Sequence, residues 1–131
     1  MVQLSEVAAD LGKESDGVWV PYAKGIEFKI ARLRNPAYRK ALRRVVKERR
    51  GAPIEDADES IELLAPLLAR HILKDWKNVT DSDGEAIPYD PDRGAKSLLE
   101  PENLDMYDFI VQAANTAAWF EQDQLEEAEK N

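Results

Sequence analysis

The sequence predicts an α+β fold, mainly α-helical, in which an N-terminal β-hairpin (about 17–33) precedes about four helices (about 36–50, 57–76, 90–99 and 101–127). Three observations predict it. Ile26, Phe28 and Ile30 alternate with Glu27 and Lys29 behind a Lys24-Gly25 turn, which is the period of a half-buried strand. From residue 36 onward the apolar positions recur at intervals of three and four, the period of a helix face. Asn35-Pro36, Asp56 or Asp58, Asp90-Pro91 and Pro101 mark the starts of those runs, where a helix needs an acceptor side chain or a ring already holding a helical φ. A chain of 131 residues reads as one domain, 1–131, with a polar leader (1–16) and a tail (128–131) expected to be mobile.

Within the leader Val2, Leu4, Val7 and Leu11 form a short apolar core. The hairpin follows as Gly17-Val18-Trp19-Val20-Pro21-Tyr22, a turn, and Ile26 to Ile30, with Pro21 suited to an edge because it donates nothing to a ladder. In the first long helix Tyr38, Ala41, Leu42, Val45 and Val46 share a face, and the chain stops helping the helix at Gly51 and Pro53. The second carries Ile61, Leu64, Ala65, Leu68, Ala69, Ile72 and Trp76 as its main stripe. Pro66 inside it leaves open one bent helix or two short ones. Asp83-Gly84 marks a turn between short extended pieces, and the last helix ends in a Glu-rich stretch. The hairpin is expected to pack on the first two long helices, burying Phe28, Ile30, Leu42 and Leu68.

The chain lacks cysteine, which removes disulfides, thiolate nucleophiles and cysteine zinc sites. No apolar run approaches the ~18 residues of a membrane span, and the first residues carry acids where a signal peptide carries basic groups. An intracellular soluble protein without a membrane partner is expected. Asp81 to Glu85 resembles a calcium loop only superficially: aligning Gly84 with the loop glycine puts Val79 at the first ligand position. His71, the single histidine, borders an apolar stripe and reads as a packing residue. With no nucleophile elbow and no phosphate loop, neither enzyme activity nor a metal or other cofactor is expected.

Charge is the stronger signal. The net charge of -8 hides ten basic and one acidic residue within 29–50, against six basic and twenty acidic within 51–131. Such segregation favours oriented association, with a partner or between copies. Arg39, Arg43 and Lys47 lie on the polar side of the helix 36–50. That face reads as solvated surface, as a dock for an acidic protein (including the acidic C-terminal region of another copy), or as a phosphate contact. The acidic remainder of the chain makes nucleic acid the least favoured of these. The last helix carries more apolar surface than a surface helix needs: beside its core stripe run Met106, Phe109, Ala113 and Phe120, and Trp119 falls among polar positions. These eight side chains (Met106, Phe109, Ala113, Trp119, Phe120, Arg39, Arg43 and Lys47) are the candidates for partner binding.

Gly17-Val18-Trp19-Val20-Pro21-Tyr22, Gly25 to Arg32 and Asn35 to Lys40 resemble the N-terminal part of tail assembly chaperones of long-tailed (siphovirus-type) bacteriophages. Trp76-Lys77-Asn78-Val79, Asp83-Gly84, Ile87-Pro88-Tyr89-Asp90 and Leu98-Leu99 are similar to a later segment of the same group, so the likeness spans about 17–100. The resemblance implies a mainly helical protein of the host cytoplasm that is not part of the mature virion. Its implied partners are the tape measure protein, which it binds and keeps soluble, and the tail tube protein, which it helps recruit. The resemblance assigns no individual residue a role. The alternative expectation is a small nucleic-acid-binding regulator using the basic helix 36–50.

Overall fold

A computed structural model of the chain describes residues 1–121. Two short helices, α1 (Leu4–Val7) and α2 (Leu11–Asp16), lead into the hairpin β1 (Val18–Pro21) and β2 (Glu27–Ile30). Helices α3 (Pro36–Glu48) and α4 (Ala57–His71) follow, then β3 (Leu73–Lys77), α5 (Pro91–Leu99), a 3-10 turn (Pro101–Asn103) and α6 (Leu104–Ala114). The chain is helical again at 117–121. The fold is α+β and mainly helical, with an antiparallel sheet in the order β1-β2-β3.

Three helix starts follow from local chemistry. Asn35, Asp56 and Asp90 each accept a hydrogen bond from the backbone N–H three residues on, at 3.0, 2.8 and 2.8 Å. Pro36 and Pro91 occupy first-turn positions where no N–H is needed. Pro66 sits on the exposed side of α4, which continues as one helix through it.

One expected element changes type. The helix expected over 57–76 ends at His71, and Leu73–Lys77 becomes the third strand, antiparallel to β2. The ladder pairs Ile30 with Leu73 and Lys29 with Asp75, so Lys74 is an extra residue on β3. That bulge brings Leu73 and Trp76, three residues apart, onto the same buried side. A spacing of three is a helical signature in sequence, and here a bulged strand produces it.

The core lies between the sheet and the helices. Val18, Val20, Phe28 and Ile30 from the hairpin meet Leu68, Ile72, Leu98 and Ile110. Phe28, Ile30 and Leu68 are buried as expected, while Leu42 is only half-buried. The segment after β2 ties four parts of the fold together: Ala31, Arg32 and Leu33 donate backbone hydrogen bonds to Ile72, Glu14 and Ala114 at 2.8, 2.8 and 2.9 Å. Gly17, at φ +98°, passes so close to β2 that a Cβ there would lie 3.1 Å from the Ile30 carbonyl carbon.

Of the leader, α2 is built into this arrangement. Glu14 is buried and receives two hydrogen bonds from the Arg34 guanidinium, at 2.9 and 2.6 Å. Those bonds, and the nearby positive charges of Arg34 and Arg32, hold its carboxyl below the usual range despite the opposing effect of burial. By contrast Val2, Leu4, Val7 and Leu11 are all exposed. The expected continuation of the last helix to 127, and the tail 128–131, lie outside the described residues.

Candidate functional site

Several of the residues that carried the phage resemblance make internal contacts. The Trp76 indole donates to the Ile87 carbonyl at 2.7 Å and meets the Tyr89 ring edge-on, with centroids 4.9 Å apart. The Tyr89 hydroxyl reaches the Ala69 carbonyl and also that of Leu73, the latter at 2.8 Å, and thereby joins the end of α4 to the start of β3. Asp81 accepts from the N–H groups of Asp83 and Glu85 at 2.9 and 3.0 Å, closing the turn at Gly84. These side chains fix the path of the chain. His71 is half-buried; burial, then Lys74 and Arg70, push its pKa below the ordinary value, and its carbonyl accepts from the Asn35 amide at 3.2 Å.

Open surface lies elsewhere, first along α6. Phe109 packs one side of its ring against Tyr22, at 4.8 Å between centroids, and lies 6.4 Å from Phe28. With Gln112, Ala113, Thr116 and Trp119 it lines a groove of about 260 Å³. α6 ends within the stretch that lines this groove. Asn115 and Thr116 donate backbone bonds to Gln112 and Ala113, both at 3.1 Å, and the Thr116 hydroxyl donates to the Gln112 carbonyl at 2.7 Å. Helical structure resumes at 117. Trp119 follows Phe109, Gln112, Ala113 and Thr116 at the three-four spacing of a helix face and stands beside Phe109 and Ala113.

The structure therefore gathers three of the five apolar candidates and leaves two outside. Ala113 is buried and forms groove floor. Met106 is half-buried against the core and does not line the groove. Phe120 points the other way: it is 5% exposed, with the Arg32 guanidinium 5.5 Å from its ring centre. Arg32 is itself buried, with Glu14 4.0 Å away, and its Nε and Nη1 have no hydrogen-bond partner among the described residues. Phe120 thus belongs with the leader's anchorage and not with an open face. Gln112 and Thr116 were not singled out from sequence, since as polar side chains they stood outside the apolar stripes.

The basic candidates Arg39, Arg43 and Lys47 are all exposed on α3. Arg43 and Lys47 join Lys40, Arg44 and Arg50 around a shallow depression of about 670 Å³, with Arg39 outside it. None of these six cations has an ion pair among the described residues. Arg49, on the neighbouring side, is engaged: it bonds Glu59 at 2.7 Å and the Pro53 carbonyl at 2.8 Å.

A third opening escaped the sequence reading. Ile61, Leu99 and Leu104 floor a groove of about 300 Å³ where α4 meets α5 and the 3-10 turn, with Asp58, Glu62 and Glu100 at its rim. Leu99 and Leu104 are 43% and 47% exposed. The available signal was the pair Leu98-Leu99: adjacent residues cannot both enter the core from one helix, so one of them faces out.

The fold and its surfaces define a small α+β protein that uses Trp76 and Tyr89 for internal structure and exposes apolar and charged helical faces. Among the described residues no helix is long and apolar enough to cross a membrane. The family model described as YdaY prophage protein matches residues 33–131, and the chain belongs to that family. It is therefore a phage-derived protein. Neither a curated protein nor a solved structure matches the chain.

Proposed function

We propose that this protein is a tail assembly chaperone: a non-enzymatic binding protein of the host cytoplasm, absent from the mature virion. In this reading it holds the tape measure protein soluble and helps bring tail tube protein to it. The observation that carries the proposal is the groove of Phe109, Ala113 and Trp119 on α6, open to solvent on a chain of prophage origin. A helical client offers apolar side chains at intervals of three and four, and such a stripe suits an apolar groove between helical turns. Binding of this kind keeps an aggregation-prone client from self-association by mass action and needs no chemistry. The net charge of -8 keeps the complex soluble.

Co-expression with the long helical product of the neighbouring phage reading frame tests the reading. The chaperone should raise that product's soluble yield, and Trp119→Ala should remove most of the gain while the variant itself stays folded. Phe120→Ala is the control: its side chain is buried, so its effect should appear as lost stability of about 3–5 kcal/mol. An unchanged soluble yield with the native chain would overturn the proposal. The alternative, a nucleic-acid-binding regulator, draws on the six exposed cations of α3 and its C-terminal end, which have no ion pair among the described residues. It predicts binding to duplex DNA or RNA that weakens steeply with salt and requires Arg43 and Lys47.

A further inference from the structure

We propose that the basic face of α3 docks into the acid-rimmed groove between α4, α5 and the 3-10 turn of a second copy, so that copies associate head to tail. The two surfaces are matched in charge and in apolar content. On α3, Lys40, Arg43, Arg44 and Lys47, with Arg50 just past the helix end, gather around one shallow depression. Val46, 57% exposed, follows Arg43 by three residues at the border between the helix's apolar and basic sides. In the groove, exposed Leu99 and Leu104 lie between Asp58, Glu62 and Glu100. One surface is a group of cations with an exposed apolar side chain at its border; the other is an apolar trough framed by carboxylates.

Neither set is paired among the described residues. None of these cations and none of the three carboxylates has an ion pair there. Glu100 accepts one hydrogen bond, from the Asn103 amide at 3.3 Å. The occupant is a second copy and not some other acidic protein because both halves of the match, polar and apolar, are present on this one chain. The surfaces differ from one another, so a bound pair keeps one of each free, and the association is open-ended instead of stopping at a symmetric pair. Exposed ion pairs are weak and screened, so the contact is reversible and salt-sensitive. The inference uses no property of a client and stands or falls apart from the chaperone reading.

Sedimentation velocity on the purified full chain tests it. In about 50 mM NaCl the weight-average sedimentation coefficient should climb with concentration past the value of a dimer, and in about 500 mM NaCl the chain should be monomeric, as screening shortens the reach of exposed charges. Two isosteric or near-isosteric neutralisations, Arg43→Gln with Lys47→Gln and Glu62→Gln with Glu100→Gln, alter exposed or rim groups and leave the core untouched. Each pair of substitutions alone should weaken association at least tenfold. Mixed together they should give a one-to-one complex and nothing larger, since only one intact face of each kind remains. A monomer at every concentration in low salt overturns the proposal. So does association that neither variant weakens, a dimer that never grows, or nucleic acid co-purifying through Arg43 and Lys47.

Discussion

The segment from β3 to α5 and the two faces of α3 and α6 treat their distinctive residues in opposite ways. In the first, Trp76, Asp81 and Tyr89 all find internal partners: a carbonyl, two backbone N–H groups, an aromatic edge. In the second, Arg43 and Lys47 have no ion pair among the described residues, and Trp119 borders an open groove. The difference teaches where each kind of information sits. Trp76, Asp81 and Tyr89 specify how the chain turns, while the open surfaces are made mostly of side chains outside the segments that resemble a phage family; Lys40 and Leu99 belong to both sets.

The contrast predicts a graded set of responses. Trp76→Ala empties a buried site and orphans the Ile87 carbonyl, so thermal or denaturant unfolding should show a loss of about 3–5 kcal/mol. A value near zero would mean that the segment does not hold the sheet to α5. Gly94→Ala comes next. A Cβ at that position would stand 2.5 Å from the Tyr89 hydroxyl oxygen, and the forced shift should cost about 1–3 kcal/mol. In the same background Tyr89→Ala should relieve the clash, so the two substitutions should be non-additive in a double-mutant cycle.

Glu14 supplies a smaller and pH-dependent effect. Its folded pKa is lowered, chiefly by the hydrogen bonds from Arg34, so its contribution is complete above the ordinary Glu value and disappears as pH falls through the depressed one. Denaturant midpoints followed from about pH 5 to pH 2 should therefore fall for the native chain and fall less for Glu14→Gln, which should already be weaker at neutral pH by about 1–2 kcal/mol. Parallel pH curves would show that the leader is not held by this carboxylate. At the bottom of the scale, Lys47→Ala should change stability by no more than about 0.5 kcal/mol, because its side chain is exposed and without an ion pair among the described residues. A larger loss would place Lys47 in the structure's own support and break the contrast between the two regions.

Much of this fold was legible because its signals are local. Asn35, Asp56 and Asp90 cap the helices that follow them, and Ile26 to Ile30 alternate, since both effects act within a few residues. The candidates Arg39, Arg43 and Lys47 were found the same way, by the helical period alone. Sequence by itself determined the mainly helical α+β class, the hairpin, the starts of α3, α4 and α5, and the unequal distribution of charge.

Tertiary structure decided the rest. It made β3 a strand, because pairing with β2 and a bulge at Lys74 outweigh a spacing that reads as helix. It divided the apolar candidates: Trp119 stands beside Phe109 and Ala113 in the groove, while Phe120 goes under Arg32. It also opened the acid-rimmed groove, by bringing Ile61 beside Leu99 and Leu104 from distant parts of the chain. A helical period fixes which side chains share a face, and only the packing of whole elements determines which face is covered.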